Sequence, residues 1–183
     1  MNRALGIAAI AAFGIASGAA TPAWASSDSI ETAGTAIAVG IPVTAAGISL
    51  FKSDYDGILQ LSVSTLSAVG ISYGLKQVVH EERPDHSDFH SFPSETTSGA
   101  FAGAAYLQRR YGWDYGLPAY ALAAFVGYSR VESKQHHWWD VAAGAAIGWG
   151  CAALFTDRYS RVAVTASAGY GGHPLGFGIY MTW

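Results

Sequence analysis

The sequence predicts an all-α domain, a bundle of about five Ala/Gly-rich helices with a short C-terminal β-hairpin. Three observations predict it. Hydrophobic residues make up 51% of the 183-residue chain and gather in separate segments. Each segment is long enough or Ala-rich enough to favour helix over strand, and none alternates strictly. Only the tail alternates, in two short runs either side of a Gly-Gly-His-Pro turn.

The elements follow in chain order. Residues 1–25 read as a secretory signal peptide. Arg3 is its positive start, Ala4 to Ala20 its apolar stretch, and Ala23-Trp24-Ala25 a small-x-small cleavage site before Ser26-Ser27. Residues 26–160 form the helical domain. Its first segment is Ile30 to Phe51, with Pro42 in its middle. Ile58 to Leu75 follows the polar turn KSDYDG. Thr97 to Leu107 is short and stops at Arg109-Arg110. Leu117 to Tyr128 opens with Pro118, a residue tolerated near a helix start. Trp139 to Phe155 closes the series. Residues 161–183 form the tail, where Arg161 to Tyr170 and Leu175 to Trp183 flank the turn Gly171 to Pro174.

Charge narrows the function. The net charge is -3, and only 13% of residues are charged. No basic stripe exists, so the electrostatic footprint of a nucleic-acid binder is missing. Cys151 is the one cysteine; it sits in an apolar run and reads as a small core residue. Small residues along the helices suit association with a bilayer, and aromatic residues at segment ends (Trp113, Tyr115, Trp138, Trp139, Trp149) suit an interfacial belt and equally a soluble helical core. The mean hydropathy of +0.23 is modest for five spans, and only the first segment clearly reaches spanning length.

Against this apolar background, SRVESKQHHWWD over residues 129–140 stands out. Arginine offers a planar fork to phosphate or carboxylate. Histidine attacks or shuttles protons near neutral pH. Asp140 follows His136 by four residues, so on a helix the carboxylate shares a face with the imidazole and can orient it. Two further stretches join it: Lys76 and Arg83-Pro84 in KQVVHEERP, and Pro93-Ser94 in SFPSETTSG. The order K-x6-R-P, then P-S, then S-R-x5-H-x3-D, over about residues 70–155, resembles the type-2 phosphatidic acid phosphatase superfamily. That superfamily also holds bacterial class A acid phosphatases and vanadium haloperoxidases. The first and third motifs match at every fixed position. The middle one departs: the family usually reads P-S-G-H, and here Pro93-Ser94-Glu95-Thr96 stands in its place.

The resemblance implies a helical fold and a phosphatase that works without metal or cofactor. It implies that Lys76, Arg83 and Arg130 cradle a phosphate, helped by the Ser94 hydroxyl and nearby backbone N–H groups. It implies His136 as a nucleophile that forms a phosphohistidine, with Asp140 holding its ring. Thr96 falls where the family keeps a general-acid histidine, a group typically worth roughly 10²–10⁴-fold in rate. Glu95 is a candidate replacement acid, or simply a carboxylate opening a helix capped by Ser94. His86, His90 and His137 are other donors within the chain. His80, His86 and His90 with Asp85 and Asp88 fit no metal-ligand spacing and read as a polar loop over the site. Two readings stand. One is a phosphatase acting outside the cytoplasm on a phosphate monoester or diphosphate, lipid-linked substrates included. The other is a non-catalytic binder of phosphate or lipid headgroups on the same scaffold, its acid lost.

Overall fold

A computed structural model describes residues 27–167 and 176–182. The signal-peptide segment and the tip of the tail lie outside the described residues. Five helices appear as expected: α1 (Ser27–Phe51), α2 (Tyr55–Val78), α3 (Glu95–Tyr111), α4 (Trp113–Glu132) and α5 (Trp138–Phe155). Strands β1 (Arg161–Ser167) and β2 (Gly176–Thr182) pair antiparallel, Arg161 opposite Thr182. Each helix outruns its apolar segment because capping turns extend it. Asp54 caps α2 by accepting from the Gly57 N–H at 3.0 Å, and Ser94 caps α3. Helix α4 begins a full turn before Pro118, which therefore sits inside it.

The shortest helix is the centre. α3 packs against all four others, while α1 touches α4 and α2, and α2 touches α5, closing a ring around it. Nearly every residue from Thr97 to Leu107 is buried. Small side chains make this possible. Gly144 and Gly148 of α5 lie against the Ser94 and Ser98 carbonyls, so close that a Cβ there would stand 2.4 and 2.2 Å from those oxygens. The core is Ala38, Ile41, Ala45, Leu61, Ala100, Ala104, Tyr106 and Val126, with Cys151 in a second cluster.

The distribution of polarity across the helices is inverted. On α2, Ser64 and Ser72 are buried while Leu59, Leu66 and Val78 are exposed. Val43, Leu50, Phe51, Leu117, Trp138, Trp149 and Leu154 are exposed as well. Helices α1 and α2 are long and apolar enough to cross a membrane.

One end of the bundle is closed by a buried ion pair. Arg110 of α3 grips Asp54 through Nε at 2.8 Å and Nη2 at 2.5 Å. The Tyr111 hydroxyl donates to the same carboxylate at 2.8 Å. The other end, where α3 begins and α2 and α4 finish, holds the polar motifs.

Candidate active site

The sequence motifs meet at the N-terminal end of α3. Lys76 comes from the last turn of α2, Arg130 from the last turn of α4, and Asp140 from the first turn of α5. Arg83 and His136 sit in the loops that join helices. Lys76, Arg130, His136 and Asp140 are 8%, 5%, 4% and 0% exposed, which is rare for charged groups in a chain with so few of them. Arg83 stands within electrostatic reach of Lys76, Arg130 and His136, and Lys76 within reach of His136. Like charges gathered this closely repel one another, an arrangement that an anion between them relieves.

His136 is held by one strong contact. Its Nδ1 lies 2.7 Å from the Ser91 backbone carbonyl. A carbonyl only accepts, so Nδ1 carries the proton and Nε2 keeps its lone pair. Burial pushes the His136 pKa below its usual value; Asp140 works against this, and Lys76 and Arg83 add to it. The ring is therefore neutral at neutral pH, the form a nucleophile needs.

Asp140 is placed differently from the expectation that it grips the ring. Its Oδ2 is 3.7 Å from His136 Nδ1, beyond a hydrogen bond. That oxygen accepts instead from the Ser91 hydroxyl at 2.5 Å and the His137 N–H at 2.7 Å. Burial raises the Asp140 pKa, but His136, Ser91 and the His137 N–H together hold it below the usual carboxylate value. Asp140 thus supplies a fixed negative charge beside the ring and anchors Ser91, whose carbonyl sets the tautomer. Sequence reasoning missed Ser91, and nothing in its local sequence signals the role.

Ser94 also differs. It is fully buried, and its hydroxyl pairs with Thr97 Oγ1 at 2.9 Å and accepts from the Thr97 N–H at 3.4 Å. This makes it the N-cap of α3, and a helix start of this kind is where anions bind in general. Glu95 and Thr96 open the helix, both half-buried. The Glu95 charge acts on Lys76.

The loop after α2 pairs with itself and with the site. Arg83 donates from Nε to Asp88 at 2.8 Å and from Nη1 to Gln135. His86 meets Glu82 at 2.7 Å, and the His90 N–H donates to Asp88 at 2.7 Å. The Lys76 ammonium donates to the His90 carbonyl at 3.2 Å. Asp85 and His80 are exposed. The grouping with ligand-like spacing is another one: Glu81, His137 and Asp140, whose donor atoms lie within 4.8 Å of one another. His137 Nδ1 is 3.7 Å from Glu81 and 3.4 Å from Asp140, and its ring stacks on Trp139.

The chain is similar to several known proteins. The family model described as the PAP2 superfamily matches residues 57–162. The chain is 38% identical over 130 residues to the Lipid A 4'-phosphatase of Helicobacter pylori, covering 65% of this chain and 66% of that protein. It is 40% identical over 70 residues to the Lipid A 1-phosphatase of Porphyromonas gingivalis, covering 36% of this chain and 16% of that one. The fold matches the crystal structure of Aquifex aeolicus LpxE with a TM-score of 0.53 and 21% identity, over 66% of this chain and 83% of that one. The chain spans just under two thirds of one relative and a small part of the other. A family model covering more than half the chain, joined to the motifs its helices bring together, makes this protein a member of the PAP2 superfamily.

Proposed function

We propose that this chain is a phosphatase that removes phosphate from a lipid-linked monoester or diphosphate through a phosphohistidine on His136. The observation that carries the reading is the buried His136, its Nδ1 committed to the Ser91 carbonyl and its Nε2 left to attack with Lys76 and Arg83 within electrostatic reach. Nε2 attacks phosphorus, the bond to the leaving oxygen breaks, and water then releases phosphate from the histidine. Lys76, Arg83, Arg130 and the first N–H groups of α3 balance charge on the equatorial oxygens. The chemistry assigned to these residues calls for no metal. The names of the two relatives support a phosphorylated lipid as substrate. The outward-facing apolar side chains and two helices of spanning length support a membrane setting. The signal-like first 25 residues support a site outside the cytoplasm.

A second reading, a binder that has lost catalysis, rests on one observation: Thr96 occupies the place of a general acid. Glu95, on the same turn, is the replacement acid in the catalytic reading. Detergent-purified protein, assayed for phosphate release from phosphorylated lipids, separates the two readings. The catalytic reading expects turnover that survives EDTA, disappears in His136→Ala, and leaves an acid-labile, base-stable phosphoryl group on quenched wild type. Activity retained by His136→Ala overturns it. Phosphate binding without any turnover favours the binder.

A further inference from the structure

Arg130 is engaged by a helix outside the matched family region. Its Nη2 donates to the backbone carbonyl of Glu31 on α1 at 2.5 Å. Its Nη1 lies 3.8 Å from the Glu31 carboxylate. Its Nε meets the Ser129 hydroxyl at 3.3 Å. The approach of α1 is enabled by Gly34, one turn on from Glu31. A Cβ there would fall 1.9 Å from Ser129 Oγ and 3.1 Å from Arg130 Nη2. The family match starts at residue 57, so α1 lies wholly before it.

We propose that α1 is a wall of the phosphate site, and that Glu31 is a positioning and specificity residue that lowers its affinity for anions by holding a carboxylate against Arg130. The proposal rests on the reading of Lys76, Arg83 and Arg130 as a phosphate cradle. The backbone carbonyl fixes where the guanidinium sits. The carboxylate occupies part of the charge that phosphate would otherwise use, and repels the incoming anion as well. An unopposed cluster of three cations, two of them buried, would hold product phosphate tightly. A resident carboxylate loosens that grip, favours release, and penalises ligands of higher negative charge most. The Glu31 side chain is 37% exposed, so its effect is moderate and screened by salt.

The test is equilibrium binding of inorganic phosphate and of vanadate to the purified full chain, which needs no turnover. Glu31→Gln keeps the backbone carbonyl and the side-chain shape while removing the charge. Its Kd for both anions should fall about three- to ten-fold at low ionic strength, and the gain should shrink as salt is raised. Glu132→Gln, an exposed charge at the end of α4, should leave Kd unchanged. An unchanged Kd in Glu31→Gln overturns the charge role, and a weaker one shows that the carboxylate holds Arg130 in place for phosphate, which also overturns it. If wild type binds neither anion, the phosphate cradle itself fails, and this proposal with it. If it binds both anions as described yet turns over no ester, the catalytic reading fails while this proposal stands.

Discussion

Replacing Gly144 by alanine tests whether α5 sets the geometry of the phosphate site through α3. The new Cβ would stand 2.4 Å from the Ser94 carbonyl oxygen, 3.3 Å from its carbon and 3.4 Å from the Ser98 nitrogen. An ordinary contact needs roughly 1 Å more. The obstacle is backbone at the N-cap of α3, which cannot rotate aside as a side chain would. Ser94 is tied to α5 a second time, because its N–H donates to the Asp140 carbonyl at 3.0 Å. The strain therefore spreads to the start of α3 and the first turn of α5 together. Overpacking of this kind costs about 1–3 kcal/mol, and the better helix propensity of alanine returns up to about 1 kcal/mol. Stability should fall by about 0–3 kcal/mol. Activity should fall more, because a displacement of about 1 Å in a group that positions the reacting atoms can cost on the order of 10²-fold. Gly148→Ala is the matched control. Its Cβ would stand 2.2 Å from the Ser98 carbonyl and 2.8 Å from the Ala102 nitrogen, one turn further from the site. The assay is thermal unfolding in detergent beside kcat/KM on a phosphate ester for both variants. Comparable melting losses with a much larger rate loss for Gly144→Ala are expected. Wild-type kcat/KM in Gly144→Ala, or equal rate losses in the two, refutes the reasoning.

Two further outcomes follow from the site. Ser91→Ala removes a donor from Asp140 but leaves the backbone carbonyl that binds His136 Nδ1. A carboxylate with one donor fewer stabilises the imidazolium better, so the His136 pKa should rise from its lowered value. The nucleophile must be neutral, so the acid limb of kcat/KM should move to higher pH; a limb that stays put shows that the Ser91 hydroxyl does not act on the ring. Thr96→His restores the residue type that the family uses as acid. It should raise turnover of alkyl phosphates far more than of aryl phosphates, whose leaving groups need no proton, and equal gains on both would point to a change in binding rather than in acid catalysis.

The fold was legible because composition alone carries it: segments of Ala, Gly and apolar residues are helices, and alternation in the tail is a hairpin. Their arrangement was less visible. Thr97 to Leu107 reads only as a short segment, yet α3 is the axis of the bundle, since its small residues let four neighbours approach at once. Arg110 read as the polar end of that segment, and is instead buried against Asp54, 56 positions away. Small residues along the helices suit close packing, and on α2 the buried ones include Ser64 and Ser72. The site divides in the same way. Lys76, Arg83, Arg130, His136 and Asp140 carry chemistry in their residue types and spacing, and the helix ends bring them together. Ser91, Gln135 and Glu31 meet those groups through a backbone carbonyl, a side-chain amide and a second backbone carbonyl, contacts made only after folding. Such residues leave no pattern in one sequence, because what selects them is a distance across the bundle and not a spacing along the chain. Gly144 and Gly148 are the intermediate case. Their four-residue spacing marks a close helix contact in advance, but only the fold says that the contact is with the residue capping the phosphate end of α3.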